Sequence, residues 1–146
     1  MKRFIGIDSG AKGAVAMLSE EGGIEIYPMD YRVLKEALKR WSEDDCICCL
    51  EKVGAMPKQG VTSMFNFGIA YGRLLQALED FDIPYQEITP QRWKKEFGLN
   101  SEKVKSIETA HKLFPNANLR PTERCRVDND GMAEALLMAC YAKRKL

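Results

Sequence analysis

The sequence lacks any apolar run near the ~18–20 residues that a membrane-spanning helix requires. Its N-terminus is basic and then apolar, but only four residues separate Arg3 from Asp8. That run is too short for the core of a signal peptide, so an intracellular, cytoplasmic setting is expected. Cysteine is no framework either. The five cysteines are an odd number with no Cys-x-x-Cys pair, and Cys46, Cys48 and Cys49 fall in an apolar run. They are expected to be reduced and buried, as small hydrophobes. The single histidine, His111, has no Cys or His neighbour at metal-ligand spacing and is expected to be a half-buried or solvated helix residue. Charge of one sign is missing as well. The 22 Lys and Arg nearly balance the 21 Asp and Glu, for a net charge of +1. With 45% hydrophobic residues over 146 positions, disorder, collagen and coiled coil are excluded, and one domain spanning 1–146 is expected.

What is present is a clear order of elements. Residues 3–8, 14–18 and 24–27 are apolar or alternating segments joined by Gly-containing turns, which predicts a three-stranded antiparallel meander. Asp30 is placed to cap a helix whose apolar positions include Leu34, Leu38 and Trp41. A buried strand is predicted over 46–53, and 54–60 is read as a flexible loop. A long helix follows over 62–80, with Phe65, Ile69, Leu74, Leu75 and Leu78 as core candidates. A fifth strand is predicted at 84–89, a short helical segment at 93–97, a helix opened by Ser101 and running to 113, and a last helix at 131–143. The fold class is therefore α/β: a mixed five-stranded sheet, part meander and part parallel, with helices on both faces.

The acids fall at the ends of these elements. Asp8 closes one apolar strand, and Glu51 lies near the end of another. In open α/β sheets the carboxyl edge is where sites form. Acids brought together there repel unless a divalent cation neutralises them. Asp130 and Glu134 are four apart, on one face of the last helix. Asp130 is open to two readings, since an acid in a first helical turn also serves as a cap or complements the helix dipole.

These residues resemble RuvC-like Holliday junction resolvases of the RNase H-like superfamily. The stretch 4–10 (FIGIDSG) resembles the family's first strand, and Leu50-Glu51-Lys52-Val53 its second acidic motif. Residues 89–95 (TPQRWKK) with 98–103 (GLNSEK) resemble its basic strand-to-helix segment, and 130–136 (DGMAEAL) its last acidic motif. Residues 56–60 and 63–68 (SMFNFG) are most similar to the bacteriophage type. The resemblance implies an RNase H-like fold, a homodimer, and Mg²⁺-dependent endonuclease action on four-way DNA junctions, with Mn²⁺ as a substitute. It implies Asp8, Glu51, Asp130 and Glu134 as catalytic ligands of two metal ions per site, and products with a 5′ phosphate and a 3′ hydroxyl. Two departures stand out. Bacterial members usually carry Asp where this chain has Glu134, and often space the last two acids by three rather than four. Asp128 therefore competes with Asp130 as third ligand.

The neutral total conceals an uneven distribution. Residues 1–91 carry 10 basic and 14 acidic side chains, 92–126 carry 9 and 4, and 127–146 carry 3 of each. The central block holds Arg92, Lys94, Lys95, Lys103, Lys105, Arg120, Arg124 and Arg126, a clustering suited to phosphates. Lys103 lies in a helix's first turn, where a cation is poorly placed and a phosphate well placed. Phe65 and Phe67 are two apart on the long helix, so they cannot share one core; an exposed one could stack on an unpaired base. Apolar positions of that helix also offer a surface to a second copy. Alternative functions are a flap or RNA–DNA hybrid nuclease, a non-catalytic branched-DNA-binding module, and an actin-like or sugar-kinase ATPase, for which a second such domain is missing.

Overall fold

In the computed structural model, residues 1–54 and 60–146 are described, and most of the loop expected at 54–60 lies outside them. The strands are β1 (Lys2–Asp8), β2 (Ala14–Ser19), β3 (Ile24–Pro28), β4 (Asp45–Glu51) and β5 (Tyr85–Ile88). The helices are α1 (Tyr31–Trp41), α2 (Val61–Asp80), α3 (Pro90–Glu96), α4 (Lys103–Leu113) and α5 (Asp130–Lys145). The sheet order is β3-β2-β1-β4-β5. β1, β2 and β3 pair antiparallel, and β4 and β5 add on in parallel. The mixed five-stranded α/β sheet expected from the sequence is thus the one observed.

Each strand of the centre divides its residues between two cores. On one face Phe4, Ala14, Ala16, Leu18 and Cys49 pack against α5, with Trp93 of α3 and Ala110 of α4. On the other, Ile5, Ile7, Val15, Met17, Cys48 and Leu50 pack against Leu34, Leu38 and Trp41 of α1 and Leu74 and Leu78 of α2. α5 is almost wholly buried because it lies directly on the sheet. Two glycines permit that approach. A Cβ on Gly6 would sit 2.2 Å from the Ala135 carbonyl oxygen, and one on Gly131 would sit 2.4 Å from that of Lys12. The second contact locks the N-terminus of α5 onto the β1–β2 turn.

Element starts follow local chemistry. The Asp30 side chain accepts from the amides of Arg32 and Val33, as expected. Thr89 and Pro90 open α3, and the Asn129 side chain caps α5 by accepting from the Met132 amide. The cap of α5 is therefore Asn129, and Asp130 is the first helical residue. Ser101 does not open α4. That helix begins at Lys103, because the Asn100 side chain takes the Glu102 amide at 2.8 Å and holds 100–102 in a turn. Phe65 and Ile69, expected in the core, are exposed to 68% and 50%. The fully buried residues of α2, Leu74, Ala77 and Leu78, all lie in its second half, and the face of the first half that carries Phe65 and Ile69 is left open. Cys46, Cys48, Cys49 and Cys140 are buried free thiols as expected, while Cys125 is half-buried.

Candidate metal centre

β1 and β4 run parallel with a register that ends at Ile7 opposite Leu50. Asp8 and Glu51 are the next residue on each strand. Side chains alternate along a strand, so Asp8 continues the Phe4, Gly6 series and Glu51 follows Cys49, both on the face covered by α5. Glu134, one turn into α5, comes down beside them. Oxygen atoms of Asp8, Glu51 and Glu134 lie within 4.8 Å of one another. Asp8 is 9% exposed and Glu51 6%.

This proximity is electrostatically costly. Burial, then the charge of Glu51, pushes the Asp8 carboxyl up from 3.8 to about 7. Burial, then the charge of Asp8, pushes Glu134 up to about 7, and burial raises Glu51 as well. Partial relief comes from neighbours: the Gly10 amide donates to Asp8 Oδ1 at 3.3 Å, and Lys94 Nζ lies 3.8 Å from Glu134 Oε1. Three carboxylates that remain mutually repelled and largely shielded from water form a hard-oxygen donor set suited to a divalent cation such as Mg²⁺ or Mn²⁺.

The other acids expected here are placed differently. Asp130 stands at the rim, with Lys103 Nζ 3.7 Å from its carboxylate, and lies outside the three-acid group. Asp128 faces away, bound to His111 Nε2 at 2.6 Å and Arg120 Nε at 3.5 Å. The His111 hydrogen bond holds Asp128 below its ordinary pKa. Of the two competitors for third ligand, Asp130 is therefore the nearer to the cluster.

Two contacts had no counterpart in the sequence reading. The indole of Trp93 donates to Glu51 Oε2 at 3.0 Å, and the buried Ser106 hydroxyl lies 3.4 Å from Glu134 Oε1. The signal for the first was present: a buried tryptophan seeks an acceptor for its N–H, and Trp93 follows directly on the strand beside Glu51.

Of the basic side chains singled out in the sequence, Lys94 and Lys103 lie against acids of this edge, with Nζ 3.8 Å from Glu134 and 3.7 Å from Asp130. Arg92, Lys95, Lys103, Lys105, Arg124 and Arg126 are exposed, whereas Lys94 is drawn inward to Glu134. On α2, Phe67 stacks on Tyr71 with ring centroids 5.9 Å apart, leaving Phe65 as the exposed member of the pair.

Among solved structures, the chain is similar to Thermus thermophilus RuvC, with 17% sequence identity, a TM-score of 0.62, and 97% of this chain and 96% of that chain covered. It is equally similar to T. thermophilus RuvC in complex with Holliday junction substrate, again at 17% identity, with a TM-score of 0.63 and coverage of 99% and 96%. The chain has the RuvC fold. No family model and no curated protein sequence matches it. Neither RuvC structure lends support to the bacteriophage type expected from residues 56–60 and 63–68, of which 56–59 fall outside the described residues. Within the RuvC fold of this chain, Asp8 and Glu51 occupy adjacent strand ends and Glu134 the helix laid across them. No helix among the described residues is long and apolar enough to cross a membrane.

Proposed function

We propose that this chain is a metal-dependent endodeoxyribonuclease that resolves four-way or branched DNA junctions. The observation that carries the reading is the convergence of Asp8, Glu51 and Glu134 on one sheet edge of a RuvC fold. The residues 1–146 would form a single nuclease domain. Asp8, Glu51 and Glu134 would hold two Mg²⁺ ions, with Asp130 completing the set from the rim. Bound there, such ions would supply Lewis-acid stabilisation for the in-line attack of water on a DNA phosphodiester, which would leave a 5′ phosphate and a 3′ hydroxyl.

The chain's own residues supply position and charge. The acids fix where cations collect, in a site largely closed to water that strengthens their pull. Arg92, Lys95, Lys103, Lys105, Arg124 and Arg126 would bind backbone phosphates, and Lys103 is well placed for a phosphate close to the acids, being at a helix N-terminus and 3.7 Å from Asp130. Phe65 would stack on an unpaired base at the crossover. A four-way junction is two-fold symmetric and the described residues of one chain hold one acid cluster, so the proposal includes a homodimer. Val61, Phe65 and Ile69, exposed on one face of α2, offer it an apolar surface.

The deciding experiment is cleavage of a four-way junction, a flap and an RNA–DNA hybrid side by side, with Mg²⁺ and with chelator. Preferential Mg²⁺-dependent cutting of the junction is expected. Preference for the flap or hybrid assigns another nuclease class, and junction binding without cutting assigns a non-catalytic module.

A further inference from the structure

Glu51 is held from behind by a group that carries no charge. Trp93 is wholly buried on α3, and its indole N–H reaches Glu51 Oε2 at 3.0 Å across 42 positions of sequence. Its direction is set by several constraints. The Lys52 amide donates to the Ile88 carbonyl at 2.9 Å, tying the end of β4 to the end of β5. Pro90 and the Thr89 cap then start α3 immediately after β5. The ring itself is packed among Cys49, Ile88 and the α5 side chains. An indole has a single donor and no acceptor, so a ring fixed in this way offers its N–H in one direction only.

We infer that Trp93 is a positioning residue for the metal centre, orienting the Glu51 carboxylate for a divalent cation while leaving its negative charge intact. The inference rests on the proposed metal-dependent function. A lysine at the same place would also orient the carboxylate, but it would cancel the charge that the cation needs. An N–H donor organises without competing. Outer partners of this kind characteristically change metal affinity about 10–100-fold when removed.

The test is Mg²⁺ and Mn²⁺ binding by calorimetry to the full chain and to Trp93→Phe, which keeps an aromatic ring and removes the donor. Binding weakened about 10–100-fold in the variant, with junction cleavage recovering at high metal, supports the inference. Unchanged metal affinity overturns it, even if the variant melts at a lower temperature, because that leaves Trp93 a packing residue only. A second readout needs no variant. Trp93 is one of two tryptophans, and the other, Trp41, lies on the opposite face of the sheet bonded to Glu25. Mg²⁺ alone should therefore change the tryptophan emission of the wild-type chain, and a flat titration counts against the inference. If the wild-type chain binds metal tightly and cuts junctions but Trp93→Phe behaves identically, this inference alone falls. If the wild-type chain binds no metal, the nuclease reading falls with it.

Discussion

The two faces of the sheet are built on different principles. The α5 face is packed backbone to backbone: Gly6, Ala14 and Ala16 let a helix lie so close that a single added methyl at Gly6 meets peptide atoms at 2.2 Å. The α1–α2 face is filled by large side chains, with Leu34, Leu38, Trp41, Leu74 and Leu78 as spacers. The close face carries the acids. A short, unyielding distance between helix and sheet is what brings Glu134 into the same few ångströms as Asp8 and Glu51. The α1–α2 face ends in an α2 segment that exposes Val61, Phe65 and Ile69. One face thus holds atoms in register, and the other leaves apolar surface available.

That contrast can be broken experimentally, the strongest effect first. Glu51→Gln should lower junction cleavage about a thousandfold at unchanged folding by circular dichroism; cleavage at the parental rate would remove Glu51 from the site. Gly6→Val should cost about 3 kcal/mol or more of stability, because backbone cannot move aside as a flexible side chain would. Denaturant unfolding measures it, and a loss below about 1 kcal/mol would show that α5 can lift from the sheet.

The acid cluster also makes a pH prediction. Asp8 is raised from 3.8 to about 7 in the folded chain, and Glu134 from 4.5 to about 7. Between their ordinary values and about 7 the folded chain retains protons that the unfolded chain has released. Stability without metal should therefore fall as pH rises through that window and level off above it. Thermal unfolding should show a midpoint several degrees lower at pH 8 than at pH 5. Mg²⁺ should restore it at pH 8 and do little at pH 5; a midpoint independent of pH and Mg²⁺ would contradict the cluster's strain.

The smallest effect on folding belongs to the other face. Phe65→Ala should change stability by less than about 0.5 kcal/mol, yet weaken junction affinity by about 1–3 kcal/mol if the ring stacks on a base. Titration of labelled junction measures the affinity, and sedimentation of both proteins reports whether the same ring also serves a dimer.

Much of the fold was readable in the chain itself. The continuous apolar runs of β1, β2 and β4 and the Asp30 cap reflect local rules, and the structure follows them. Legibility failed where a residue's surroundings come from elsewhere. Phe65 and Ile69 fit a buried helical stripe, but the face that carries them is left open. Asp128 competed with Asp130 on spacing alone, and in the structure it is bonded instead to His111 of α4, seventeen positions earlier.

The sequence by itself determined that Asp8 shares a face of its strand with Phe4 and Gly6, and Glu51 with Cys49; the β1–β4 register made those two faces one. A strand alternates its side chains with a period of two, and both acids extend the series that faces α5. Tertiary structure alone decided which acid of the 128–134 region joins them, and that Trp93 stands behind Glu51. Those choices depend on where α5 and α3 come to rest, and that depends on how closely packed surfaces approach. The spacing of residues along one chain does not contain the distance between two elements. Here that distance is set by glycine and alanine contacts across the sheet, with Gly131 against Lys12 anchoring the end of α5 nearest the acids.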